Sequence, residues 1–190
     1  NSDPVGTTIA TPADDTTLTS PTPDEETEEE PQVEPEPVQT YLVHVRGKRL
    51  VKIHTGTGAE QTICTFSSDI SYPSITFGIN GNLYGSRNGE KLDLIDPCTC
   101  ETTRIGNIGY SQVRGITANG YKNDELYGIS SASDVLLEIA LADAASTEVG
   151  DGLGADFGTQ GSTWSSTINA LYSINGSTDE LYRVDIATGE

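Results

Sequence analysis

An internal repeat with a period in the low forties constrains this chain more than any single residue does. Four segments align: LVKIHTGTGAEQTIC from Leu50, LDLIDPCTCETTRIG from Leu92, LLEIALADAASTEVG from Leu136 and LYRVDIATGE from Leu181. Anchored on Ile53, Ile95, Ile139 and Val184, the first three copies run eleven residues without a gap, to Cys64, Gly106 and Gly150. A second landmark lies upstream, as Leu83-Tyr84-Gly85, Leu126-Tyr127-Gly128 and Leu171-Tyr172-Ser173, spaced by 43 and 45 residues. A repeat that long is one supersecondary unit that cannot bury its apolar surface alone, so neighbouring units must stack.

The period fits four short strands and their turns. The second copy predicts strands over Ser74–Phe77, Leu83–Ser86, Leu92–Ile95 and Thr102–Gly106. Asn80-Gly81-Asn82 and Arg87-Asn88-Gly89 supply the positive-φ positions of tight hairpins, and Asp185–Gly189 reads as a further turn. Leu92 and Ile95 are three apart and face opposite sides of a strand. Both faces of each sheet are therefore apolar, as blades packed between two neighbours require. The expected fold is all-β: β-propeller blades in four repeats of about 41–45 residues, the first and last incomplete. The strands divide as three, four, four and three. Leu50, Leu92, Leu136 or Leu137, Leu181, Ile53, Ile95, Ile139 and Val184 are the expected core. The missing strands are expected from a larger propeller of which this is a piece, from the tail (Gly6–Ala10), or from another chain. A solenoid has a shorter period, a sandwich has no reason to repeat, and no 3.6-residue periodicity supports helical repeats.

The Leu-Tyr-Gly-Ile strand, the Leu-x-x-Ile-Asp strand, the Asp-x-x-Thr-Gly turn and the Thr-x-x-x-Gly ending resemble those of secreted bacterial β-propeller repeat proteins. The neighbourhood is that of YVTN-type and lactonase-like propellers. The resemblance covers nearly all of the chain beyond the tail and implies architecture, since one fold hosts many activities.

Before the repeats the physics differs. Residues 1–40 hold seven of the nine prolines and eleven acids, with no Lys or Arg. Repelling carboxylates and scarce apolar surface predict a disordered acidic linker over residues 1–39, with the propeller over 40–190. The formal charge of the whole chain is −19. That argues against nucleic acid and anionic lipid as partners, because both need clustered cations. No apolar run reaches the roughly 20 residues of a membrane helix. A secreted or surface-tethered protein is expected, with a protein or glycan as partner.

Candidate chemistry is sparse. Tyr72, Tyr110 and Phe157 each follow an outer strand, and Arg114 and Trp164 lie a few residues beyond two such joints. A ring of these aromatics on one rim would grip a sugar or peptide, with Arg114 pairing a carboxylate; packing between blades is the competing reading. Asp124 and Glu125, with Asp151 and Asp156, are the carboxylates a lactonase-like or lyase-like enzyme would need for Ca²⁺, although neither cluster has a calcium-loop spacing. His44 and His54 are the only histidines, and neither has a nucleophile's sequence context. Cys98-Thr-Cys100 has the wrong spacing for zinc. A local Cys98–Cys100 disulfide is expected, with Cys64 as the alternative partner. The function read from these residues is a binding or interaction module. The alternatives are a metal-dependent enzyme and a structural subunit assembling through open blade edges.

Overall fold

The computed structural model describes residues 39–67 and 70–190, so the segment expected to be a disordered linker lies outside the described residues apart from Gln39. Among the described residues there are four antiparallel sheets and no helix. The first sheet comprises β1 (Tyr41–Arg46), β2 (Arg49–His54) and β3 (Glu60–Thr65). The second holds β4 (Ser74–Phe77), β5 (Leu83–Arg87), β6 (Lys91–Ile95) and β7 (Thr102–Asn107). The third holds β8 (Val113–Ala118), β9 (Glu125–Ser130), β10 (Val135–Ala140) and β11 (Ser146–Val149). The fourth holds β12 (Thr159–Ser165), β13 (Ala170–Asn175) and β14 (Glu180–Val184). Strands follow one another across each sheet, in the division the repeat predicts.

The repeat is a repeat of register. Leu42 faces Ile53, Leu83 faces Ile95, Leu126 faces Ile139 and Leu171 faces Val184 across equivalent strand pairs. The cores lie between sheets. Leu50, Phe66, Tyr72, Leu83 and Ile95 fill the first joint. Tyr84, Leu92, Ile116, Leu126, Leu137 and Ile139 fill the second. Tyr127, Ile129, Leu136, Phe157, Leu171 and Val184 fill the third. Each fully buried large side chain contributes roughly 1.5–3 kcal/mol, so the joints between blades carry most of the fold's hydrophobic stability.

Two expected core positions depart from the pattern. Leu181 is 66% exposed and Ile53 is only half-buried. Leu181 is the fourth sheet's counterpart of Leu136, which the fourth sheet covers. No further sheet among the described residues lies over Leu181. Repeat position alone does not bury a residue; the neighbouring blade does.

One turn follows the equivalent strand of every repeat, after β2, β6, β10 and β14. His54, Asp96, Ala140 and Asp185 each donate their N–H to the carbonyl five residues on, and each accepts the N–H of the residue four on. That fourth residue is left-handed in all copies: Gly58 (φ 71°), Cys100 (φ 61°), Ala144 (φ 63°) and Gly189 (φ 79°). Asp96 and Asp185 accept the backbone N–H groups two and three residues on. These bonds, that from Cys98 foremost, lower the Asp96 pKa. His54 does the same work through Nδ1, accepting from Gly56 and Thr57, both at 3.1 Å.

The turn also docks each blade on the previous one. A Cβ on Gly106 would collide with the Asp143 carbonyl and crowd Ala144, and one on Gly150 would collide with the Thr188 carbonyl. At the first joint the same two positions are Cys64 and Cys100, and they are bonded, with Cα atoms 5.6 Å apart. The local Cys98–Cys100 bond is thus corrected. The left-handed backbone turns Cys100 inward, where it is 5% exposed, while Cys98 stays exposed and free.

Candidate functional site

The expected ring of aromatics does not form. Tyr72 and Phe157 are buried in the joints, at 6% and 2% exposure, and Tyr110 is half-buried. Phe157 meets Tyr182 at 5.4 Å between ring centroids. The Tyr110 hydroxyl donates to Glu148 Oε1 at 2.6 Å, which raises its pKa. Regular recurrence between blades marks packing, because every joint presents the same gap to fill.

Tyr72 belongs to a polar cluster that repeat alignment did not single out. Its hydroxyl donates to Oδ2 of Asp93 at 2.6 Å, and Arg104 Nε donates to Oδ1 at 2.6 Å. Arg87 Nε lies 2.6 Å from Oδ2 as an ion pair, without the alignment of a hydrogen bond, while its Nη2 donates to Thr102. Asp93 is fully buried. Burial first, then the bond to Asp93, pushes the Tyr72 pKa up to about 12. The equivalent positions are Val51, Leu137 and Tyr182, so the one acid in an otherwise apolar or aromatic column was the available signal.

This cluster braces one wall of a cleft. The inner strands β4, β8 and β12 stand side by side: Ser74 Oγ accepts from Ile116 N at 3.0 Å, and Thr117 Oγ1 accepts from Trp164 N at 2.9 Å. At the end where these strands begin, Ser71, Pro73, Asn88, Arg114 and Thr159 line a cleft of about 340 Å³. Tyr72, held to Asp93, fixes the segment carrying Ser71 and Pro73. Asn88 and Gly89 take φ of 55° and 72°, a two-residue left-handed turn. Asn88 N–H donates to Ser71 O at 2.8 Å, and Gly89 O accepts from Val113 N at 2.8 Å, placing the turn beside Arg114.

Three blades thus supply polar side chains to one opening. The Arg114 side chain is exposed and has no ion pair among the described residues. Thr159 Oγ1 is buried without a hydrogen-bond partner. Arg114 was legible in sequence as a cation near a blade joint. Ser71, Asn88 and Thr159 were not, because only the assembled joint brings them to it.

The other candidates separate. Trp164 lies at the far end of β12 and is half-buried. Asp124, Asp151 and Asp156 are exposed in loops, and Glu125 pairs with Lys122 at 2.7 Å. Among the described residues no three His, Cys, Asp or Glu side chains gather as a metal ion would need. His54 Nδ1 is committed to its turn, and His44 is exposed on β1.

Successive small antiparallel sheets with their cores between them, and with inner strands side by side, define a propeller-type repeat protein. The chain belongs to the family DUF6923, described as a repeat of unknown function, which matches residues 36–190. No curated protein matches it. Among solved structures it is similar to an auxiliary nutrient binding protein from Bacteroides ovatus, with 15% identity over 76% of this chain and 35% of that one, TM-score 0.57. It is similar to a chain of a nidogen/laminin complex, with 15% identity over 74% and 54%, TM-score 0.54. A third is regucalcin, a calcium-binding protein from Agrobacterium tumefaciens, with 14% identity over 79% and 54%, TM-score 0.53. The chain spans about a third to a half of these proteins' lengths. At such identities the likeness is one of fold.

Proposed function

We propose that this propeller is a secreted or surface-held binding module that takes a small anionic ligand, a carboxylate above all, in the cleft at Arg114. The observation that carries the reading is the Arg114 guanidinium. It is an exposed cation without an ion pair among the described residues, set among polar groups from three blades, in a chain of net charge −19. A planar guanidinium offers two parallel N–H donors to a carboxylate, and such charge-assisted bonds are the strong ones. Thr159 Oγ1 adds a hydroxyl with no internal partner. A disulfide suits an oxidising compartment, and no helix among the described residues is long and apolar enough to cross a membrane. The name of the nutrient binding protein in the comparison is compatible with ligand capture at a surface.

Isothermal titration with glucuronate against glucose tests the reading. Glucuronate is expected to bind the more tightly, and Arg114→Ala to weaken it by about tenfold or more, the scale of one charge-assisted bond. Equal affinity for glucose, or an unchanged constant in the variant, would refute it.

A further inference from the structure

The two ends of the inner strands differ in chemistry. Trp164 lies five residues along β12 from Thr159, roughly 16 Å of extended chain from the Arg114 cleft. Its N–H bond to Thr117 sets the indole over Gly120, where any Cβ would collide with the ring. Tyr127 stacks on the indole at 6.0 Å between centroids, with 28° between planes. Tyr121 meets it edge-on at 5.3 Å and is 60% exposed. The equivalent register positions are Phe77 and Ala118, facing Leu83 and Leu126 as Trp164 faces Leu171, so among the described residues this corner exists only where the third and fourth sheets meet.

Two N–H donors at the corner are unused. Asn119 is 1% exposed; its Oδ1 accepts from Tyr121 N at 3.1 Å, and its Nδ2 is buried with no partner. The indole Nε1 donates to nothing among the described residues. The adjacent cation is already occupied, since Lys122 Nζ sits 2.7 Å from Glu125 and 3.0 Å from Glu138. The corner therefore offers aromatic surface and neutral donors, with no charge left for an anion.

We propose that the Trp164–Tyr121–Asn119 corner is a second binding site, and that it takes a neutral carbohydrate chain. A pyranose ring has an apolar C–H face that covers an aromatic ring, and a rim of hydroxyl oxygens that accept from N–H groups such as Asn119 Nδ2 and Trp164 Nε1. Tyr and Trp are the side chains that combine large apolar area with a polar edge and few rotamers to freeze. An anionic ligand would meet Glu125 and Glu138 with no free cation. The proposal stands independently of the Arg114 cleft.

The chain has one tryptophan, so its fluorescence and its single indole N–H resonance report on this corner directly. The probes are cellohexaose and xylohexaose, both neutral β-1,4-linked hexasaccharides. A saturable emission change is expected below about 10 mM of at least one of them. Tyr121→Ala, at a position 60% exposed, is expected to weaken binding about fivefold. Arg114→Ala is expected to leave it unchanged, so failure here and failure of the cleft reading are separable. Absence of any saturable change with both probes overturns the proposal. So does an unaltered constant in Tyr121→Ala, or an equal response to glucuronate.

Discussion

Breaking the Cys64–Cys100 bond tests how this chain joins one blade to the next. The bond spans 36 residues. The loop-closure relation for that length gives about 4 kcal/mol of stabilisation through the unfolded chain. The other joints indicate what happens without it, because Gly106 with Ala144 and Gly150 with Gly189 make the same approach unbonded. Cys64→Ala with Cys100→Ala should therefore leave a folded protein that is less stable by about 3–4 kcal/mol. Position 100 holds φ at 61°, where a side chain costs roughly 1 kcal/mol and glycine costs nothing. Cys64→Ala with Cys100→Gly should accordingly recover about 1 kcal/mol relative to the double alanine variant. Urea denaturation followed by far-ultraviolet circular dichroism measures both differences. If the bonded protein gains less than about 1 kcal/mol, the staple does not act through chain entropy. If Gly at position 100 is no better than Ala, the left-handed turn is not what the joint requires.

Two further outcomes follow from single side chains. The folded Tyr72 pKa of about 12 lies above its ordinary 10.0. The folded state therefore favours the protonated phenol: the stability it contributes is complete below pH 10 and is lost as pH rises through 12. Between these limits stability should fall by roughly 2–3 kcal/mol on account of this group, and Tyr72→Phe should flatten the slope; an identical slope would show that Tyr72 is not the group responsible. His54→Asp places at the first turn the acceptor that Asp96 and Asp185 supply at theirs, and should raise stability at neutral pH by about 0.5 kcal/mol in urea melts. A loss instead would show that the imidazole does something in its turn that a carboxylate cannot.

The two ends of the inner strands divide the candidate chemistry. One end gathers Arg114, Asn88, Ser71 and Thr159, and the other gathers Trp164, Tyr121 and Asn119. Between them run the inner strands β4, β8 and β12, and the buried Asp93 holds one cleft wall through Tyr72. That a fully buried carboxylate replaces an aliphatic residue at one joint, with two guanidiniums and a phenol around it, ties that wall to the blade behind it.

The amino-acid sequence by itself determined the blades. Register is local: a Leu opposite an Ile or Val across a hairpin, an Asx-type turn and a left-handed turn residue recur with the repeat, because each depends on near neighbours. Strand limits at β4 and the division into fourteen strands were legible for that reason. Only the tertiary structure decided what happens between blades. Cys64 and Cys100 were aligned in sequence to Gly and Ala positions, yet their bond depends on a close approach across 36 residues that no local rule states. Leu181 keeps the repeat's residue type and loses its burial, since burial belongs to the neighbouring sheet. Tyr72 and Phe157 recur at the joints, and the gap they fill exists only once two sheets face each other. Asn88, Arg114 and Thr159 are far apart along the chain and meet at one cleft because three inner strands begin at the same end of the stack.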